Sequence, residues 1–368
     1  MKALDKKVLI LVPGENARGG ITNYYQAIRN RLPQNIFYFT RGVRGWPNKS
    51  GLLAEIITHL KDYFKFIKAI IKPDVVLVQT TTALYKSSIY RDCVFVLLSK
   101  LFGKKVIVFF RGWDNKFAYN MSGFSKIIFK KTFLKADAII DLSQSNINYL
   151  KSIGYKKKIY LETTLVDEKL LENVNIDNCI KNRINSPVKK ILFLSRIEKN
   201  KGVYILLEAF KQINKTHNNY SLIYAGDGLE LDKLKEQVDK QKIKNVEFTG
   251  FVQGEEKKAL FTEASIFVFL SEYEGMPNAV LEAMAFGLPV ITTNVGGISS
   301  IFTDKKNGRL INEVDVKFIS ENIINIIYHN TDYVNYSMTN YAEAKSKFWS
   351  SIVAQRMKNI FNNVLEQA

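Results

Sequence analysis

Two glutamates eight residues apart, Glu274 and Glu282, carry the clearest chemical signal in the chain. They lie in Leu270-Ser271-Glu272-Tyr273-Glu274-Gly275-Met276-Pro277-Asn278-Ala279-Val280-Leu281-Glu282, which runs on through Ala283-Met284-Ala285-Phe286-Gly287-Leu288-Pro289-Val290 to Gly296-Gly297. A strand ends near Leu270, Glu274-Gly275 turns, and Pro277 opens a helix, where its missing N–H is no loss. The free amides of such a helix start suit a phosphate. Carboxylates at either end of the segment can accept hydrogen bonds from the hydroxyl groups of an elongated ligand. The plain alternative for Glu282 is a surface position. Its neighbours Val280, Leu281, Ala283 and Met284 weigh against that, because an acid on a buried helix needs a partner.

A second cluster is cationic. The strand at 189–195 runs into Ser195-Arg196-Ile197-Glu198-Lys199-Asn200-Lys201-Gly202. Arg196 offers a planar fork and Lys201 a point charge, a pair suited to a diphosphate, although two solvated loop cations would read the same way. A third feature follows the first strand: Pro13-Gly14-Glu15-Asn16-Ala17-Arg18-Gly19-Gly20 leads into a helix, and glycines there let an anion approach the backbone. The Gly14–Gly19 spacing copies a nucleotide-triphosphate loop, but Gly20-Ile21 replaces the required Lys-Ser/Thr, so that reading is rejected.

Short apolar runs alternate with amphipathic stretches along the whole chain. Strands are predicted at 7–12, 35–40, 74–79, 105–110, 137–142 and 157–161, and again at 189–195, 220–225, 245–249, 266–270 and 289–293. They are unbroken rather than alternating, as strands buried on both faces are. Helices fall between them, which implies parallel sheets with helices on both faces. Residues 167–189 are polar and Asn-rich, and a linker is read near 165–188. The expected architecture is α/β: an N-terminal domain over 1–166, a second domain over 167–345, and a tail helix over 346–368 crossing back to the first. Both domains should be doubly wound, with ligands at the carboxyl ends of the strands, facing a central cleft.

Composition narrows the classes. With 368 residues, 46% hydrophobic and 24% charged, the chain has the mix of a folded globular protein. Seven Pro, 20 Gly and two Cys exclude collagen-like, linker-like and disulfide-framework readings, and three scattered His argue against structural zinc. The net charge of +18 is lopsided: residues 1–170 hold 29 Lys/Arg against 12 Asp/Glu, the remainder 24 against 23. The first half therefore meets something anionic. Lys61, Lys65, Lys68 and Lys72 form one helical stripe beside Phe64, Ile67, Ile70 and Ile71. Lys126, Lys130, Lys131 and Lys135 repeat the theme among Phe124, Ile127, Ile128, Phe129, Phe133 and Leu134. Such faces suit an anionic lipid surface, with an ordinary solvated helix face as the competing reading. The apolar run at 8–12 is too short for a signal peptide, and no stretch reaches the ~18 apolar residues of a membrane helix. The expectation is a cytoplasmic protein, peripheral at the inner face of the cytoplasmic membrane.

These residues resemble the retaining GT-B glycosyltransferases of family GT4, the glycosyl transferases group 1. The likeness rests on Glu274-x7-Glu282 followed by Ala283-x-Ala285-x-Gly287-x-Pro289-Val290-Ile291. Ser195-Arg196 through Lys201-Gly202, Ala225-Gly226-Asp227-Gly228, Phe248-Thr249-Gly250-Phe251-Val252, Gly296-Gly297-Ile298 and Gly19-Gly20 extend it. It covers the whole chain and is looser in the first half. The resemblance implies that Arg196 and Lys201 hold a donor diphosphate, with Gly19 and Gly20 amides contributing. It implies that Glu274, with the Gly275 and Met276 amides, binds donor-sugar hydroxyls, that the Asn278 and Ala279 amides touch phosphate, and that Glu282 takes the ribose. Gly226, Phe251 and Val252 would line the base pocket. The implied partners are a nucleotide-sugar donor, UDP ahead of GDP, and a lipid-linked glycan acceptor; nucleic acid is not expected.

One departure concerns the residue after the fourth strand, where the family often carries His-Gly. Here the chain reads Phe109-Phe110-Arg111-Gly112-Trp113-Asp114. Arg111 cannot act as a base; it would bind an anionic sugar or acceptor or help the leaving phosphate, and Asp114 would orient an acceptor hydroxyl. A structural Arg111–Asp114 pair is the alternative. None of the 15 aspartates forms Asp-x-Asp, so no metal and no cofactor is expected. Two other readings stay open: a non-catalytic GT-B-fold partner binding nucleic acid or acidic glycan through the basic half, and a GT-B-like sugar epimerase.

Overall fold

The computed structural model describes residues 6–14, 19–42 and 52–367. The chain divides into two compact units, Met1–Thr164 with Ser350–Ala368, and Leu165–Trp349. The first contains β1 (Lys7–Pro13), α1 (Gly20–Ile28), β2 (Ile36–Arg41), α2 (Leu52–Ile70), β3 (Val75–Leu84), α3 (Lys86–Leu101), β4 (Lys105–Trp113), α4 (Asn115–Tyr119), α5 (Gly123–Lys131), β5 (Ala138–Asp141), α6 (Gln144–Ser152) and β6 (Lys158–Leu161). Its six strands lie in the order β2-β1-β3-β4-β5-β6, and the paired strands are parallel. Residues Val8–Val12 are all buried, as the unbroken apolar run requires of a strand covered on both faces.

The second unit contains α7 (Ile176–Asn185), β7 (Lys189–Leu194), α8 (Val203–Asn214), β8 (Tyr220–Ala225), α9 (Leu231–Lys240), β9 (Val246–Gly250), α10 (Gly254–Glu263), β10 (Ile266–Phe269), α11 (Asn278–Ala285), β11 (Val290–Thr293), β12 (Gly308–Ile311), α12 (Val316–Tyr328) and α13 (Asn330–Lys347). Its parallel sheet has the order β12-β11-β10-β7-β8-β9. A last helix, α14 (Ser350–Glu366), belongs to the first unit. There Arg356 pairs with Glu162 at 2.9 Å, and Lys105 Nζ donates to the Val364 carbonyl at 2.9 Å.

The expected doubly wound α/β architecture is what the chain adopts. The structure adds elements that the sequence reading lacks, among them the short helix α4, the helix α7 and the strand β12. Residues 176–185 form a helix rather than linker: Asn175 caps it by accepting from Asn178 N, and Ile176, Cys179, Ile180 and Arg183 face inward at helical spacing. Arg183 is buried and donates to the carbonyls of Phe261, Thr262, Phe286 and Gly287, which joins α10 to the end of α11. The four-residue β12 completes the sheet edge beside β11. Among the described residues no helix is long and apolar enough to cross a membrane.

Candidate functional site

In the second unit the strand order reverses at the β10–β7 junction: β7 runs on to β8 on one side and pairs with β10 on the other. Loops diverge at such a point and leave a crevice at the carboxyl edge of a parallel sheet. The segments singled out from sequence converge there. The loop after β7 carries Arg196 to Lys201, and the loop after β10 carries Glu274. They are laced together, with Glu272 N donating to Asn200 O at 2.9 Å and Ser271 Oγ to the same carbonyl at 3.3 Å. The end of β11 and the loop after it join them, through Thr293 Oγ1 to Ser271 O at 2.5 Å and Gly297 N to Gly275 O at 2.6 Å. Gly296 makes that approach feasible: its φ is +57°, and a Cβ there would stand 2.1 Å from the Glu274 carbonyl oxygen.

Two part-buried ion pairs hold the acids of this segment. Lys201 Nζ donates to Glu274 Oε1 at 2.5 Å, with only 7% of the lysine side chain and 17% of the glutamate side chain exposed. Lys257, on the first turn of α10, donates to Glu282 Oε1 at 2.6 Å. Glu282 therefore has the partner that its apolar neighbours demand, and Lys257 is the residue that sequence reasoning missed. It lies 25 residues away, and no spacing signal connects the two. Pro277 is the N-cap of α11, and Asn278 and Ala279 form its first turn, with amides at the positive end of the helix.

Arg196 differs from Lys201. It is exposed and pairs with Glu198 at 2.6 Å, so its guanidinium stands in solvent. Gly226 follows β8, and its N–H donates to Gly250 O at 2.7 Å, which brings it beside Phe251 and Val252. A Cβ on Gly226 would stand 1.9 Å from the Ser195 carbonyl oxygen, so this close backbone contact needs glycine. Phe251 is half exposed and Met276 buried.

In the first unit Gly19 is the N-cap of α1 and Gly20 its first residue, while Glu15–Arg18 of the same loop lie outside the described residues. Arg111 and Asp114 make no pair. Asp114 caps α4 by accepting from Phe117 N at 3.0 Å, and the guanidinium of Arg111 donates to Thr164 Oγ1 at 3.0 Å. On α2, Lys61, Lys65 and Lys68 are exposed beside Phe64, and α5 presents Lys126, Lys130 and Lys131 beside Phe124 and Ile127. α3 packs against both helices and adds exposed Leu97 and Leu101, and Tyr90 of α3 stacks on Phe124. Ile70, Phe129 and Phe133 of the predicted stripes are core residues instead.

Residues 177–344 match the family described as glycosyl transferases group 1. The chain is 31% identical over 250 residues to an uncharacterized glycosyltransferase of Methanocaldococcus jannaschii, covering 64% of this chain and 59% of that protein. It is 25% identical over 205 residues to the capsular polysaccharide biosynthesis glycosyltransferase CapM of Staphylococcus aureus, covering 54% and 53%. The chain thus spans little more than half the length of these curated relatives. Among solved structures, Anabaena HepE in complex with UDP superposes with a TM-score of 0.73 at 16% identity, over 97% of this chain and 100% of that one. The fold is GT-B, and the stretch that matches the glycosyl transferases group 1, residues 177–344, holds both ion pairs.

Proposed function

We propose that the protein is a retaining, metal-independent glycosyltransferase. It moves a sugar from a nucleotide diphosphate sugar, with UDP ahead of GDP, to a membrane-associated, lipid-linked glycan in polysaccharide or glycoconjugate assembly. The observation that carries this reading is the gathering of Lys201, Glu274 and Glu282 at the switch point of one parallel sheet, beside the N-terminus of α11. Lys201, with Arg196 and the amides of Asn278 and Ala279, takes the diphosphate. Glu274, with the Gly275 and Met276 amides, takes sugar hydroxyls, and Glu282 takes the ribose. The base lies against Gly226, Phe251 and Val252.

In the reaction the bond from the anomeric carbon to the diphosphate oxygen breaks, and a bond to the acceptor oxygen forms on the same face. The acceptor's proton passes to the departing phosphate. The protein contributes positioning and charge stabilisation rather than a nucleophile. Arg111 and Asp114 of the first unit are assigned to the acceptor, and the Gly19 and Gly20 amides to the donor diphosphate. The UDP complex of HepE supports the donor, the capsular relative supports the product class, and the absence of Asp-x-Asp supports metal independence. The exposed Lys and apolar side chains of α2, α3 and α5 support docking on an anionic lipid surface at the inner face of the membrane.

The test is turnover of UDP-sugars in EDTA with membrane extract as acceptor source, with the product anomer read by NMR. Transfer with retention, abolished in Glu274→Gln and Arg196→Ala, is the expected result. Absence of transfer and of UDP or GDP binding in folded protein would sink the reading. Salt-dependent nucleic-acid binding in its place would favour a non-catalytic partner.

A further inference from the structure

The first unit holds a buried cation, Arg111, that no carboxylate among the described residues neutralises. β3 and β4 pair Thr82 with Phe110 and then Ala83 with Gly112, so Arg111 is the extra residue of a bulge. Bulges are scarce in parallel pairs, and one of their uses is to re-aim a side chain beside a functional site. The Arg111 residue is only 9% exposed. Its guanidinium lies over the ring of Tyr24 at 4.1 Å and near that of Phe109 at 5.2 Å, and its single hydrogen bond runs to Thr164 Oγ1. Nε and Nη1 have no acceptor, and among the described residues no carboxylate pairs with the group.

The charges facing this place explain why it stays positive. Glu162, the carboxylate felt by Tyr24, is already held by Arg356 at 2.9 Å. Burial pushes the phenols of Tyr24 and Tyr25 up, so both stay neutral. Tyr24 belongs to α1, whose N-terminal amides add positive potential at the same carboxyl edge of the sheet. Burial also pushes Arg111 down, but an arginine does not lose its proton in a protein. Removing a cation from water without an acceptor for its donors is costly, and such groups persist where a ligand supplies the missing partner.

We propose that Arg111, seated between Tyr24 and Thr164, is the ligand for an oxyanion of the substrate, a carboxylate or a phosphoryl group. A planar fork with unused N–H donors fits either group. That the oxyanion belongs to the substrate rests on the glycosyl-transfer reading, whereas the subsite itself stands apart from it.

The test uses the full chain saturated with UDP, titrated with glucuronate, with pyrophosphate and with glucose, followed by thermal shift and calorimetry. At least one anion should raise the melting temperature and glucose should not. Glucuronate names a carboxylate source and pyrophosphate a phosphoryl source. In Arg111→Met the effective anion should bind at least tenfold more weakly. Without ligand this variant should melt no lower than the wild type, because an apolar side chain of similar length replaces an unpaired charge. Arg111→Lys keeps the charge without the fork and should bind the anion at intermediate strength. Equal anion binding in wild type and Arg111→Met overturns the proposal. So does a ligand-free melting temperature lowered by several degrees in both variants, which marks a structural arginine. If UDP fails to bind and the Arg111-dependent anion effect persists without it, the subsite stands and the transfer reading falls.

Discussion

The Lys201–Glu274 pair allows structure and binding to be separated in one set of variants. Its partners meet at 2.5 Å with 7% and 17% of their side chains exposed, so each is the other's counter-charge in a site with little water. Removing one partner of a buried pair costs about 3–5 kcal/mol when the remaining charge is fully buried. Lys201→Met leaves a glutamate that still reaches some water, so about 2–3 kcal/mol is expected there. Glu274→Gln keeps an acceptor oxygen for Lys201, so about 2–3 kcal/mol is expected again. The double variant strands no charge and should lose only about 1–2 kcal/mol, a coupling of about 3 kcal/mol. Urea denaturation of the four proteins at pH 7, followed by circular dichroism, measures the cycle. Singles that add to within about 0.5 kcal/mol would refute the claim that the two side chains stabilise one another.

The same four proteins also separate the assigned roles. Bound at about 100 times its Kd, UDP should add about 2.7 kcal/mol of stability. Lys201→Met should lose most of that increment, because its assigned partner is the diphosphate. Glu274→Gln should keep it, because its assigned partners are sugar hydroxyls that UDP lacks, while losing the further increment from the UDP-sugar. Equal loss of the UDP increment in both variants would refute the division of roles.

Three further outcomes follow from single positions. Gly296→Ala puts a Cβ 2.1 Å from the Glu274 carbonyl oxygen at a φ of +57°, so the loops after β10 and β11 must part; a loss of about 2 kcal/mol or more and weaker UDP binding by calorimetry are expected. Arg183→Met removes the donors serving four buried carbonyls and should lower stability by about 3 kcal/mol or more in urea, without changing UDP affinity per folded molecule. Asp141 is pushed up to about 7 by burial, against hydrogen bonds from Ser143 N and Asn146. A folded-state value above the unfolded one of about 4 means that the folded state holds the proton longer. Stability from this group therefore falls as pH rises from about 4 to 7 and is level above, by on the order of 4 kcal/mol. Asp141→Asn should flatten the urea midpoint between pH 5 and 8, and parallel curves for wild type and variant would show that the group does not titrate in this range.

The parts of the fold that were legible are those where one physical requirement acts on consecutive residues. A strand covered on both faces must be apolar throughout, and β1, β7 and β8 show it in five or six letters. A helix start at a strand end must leave amides free, and Glu274-Gly275-Met276-Pro277 records that turn. The helix at 176–185 was readable by the same standard. Ile176, Cys179, Ile180 and Arg183 keep helical spacing behind the Asn175 cap, but the inward position held by an arginine masked the stripe. An arginine counts as core only once the carbonyls that receive its donors are known, and those come from α10 and α11.

What the sequence hides is pairing across elements. Glu274 and Glu282 were visible as acids in an apolar setting, which states a need for cations without naming them. Lys201 becomes traceable once β7 and β10 are taken as neighbours, because loops leaving adjacent parallel strands at the same edge must meet. Lys257 has no such rule: it depends on the angle at which α10 lies beside α11. Arg111 is the converse case. Its type was legible and its bulge was not, since an extra residue in a parallel ladder leaves no period to break. The same reasoning that finds a lysine for Glu274 and for Glu282 finds no carboxylate for Arg111 among the described residues. Each of the two acids of the second unit has a lysine partner within its own unit, whereas among the described residues the cation of the first unit has no carboxylate beside it.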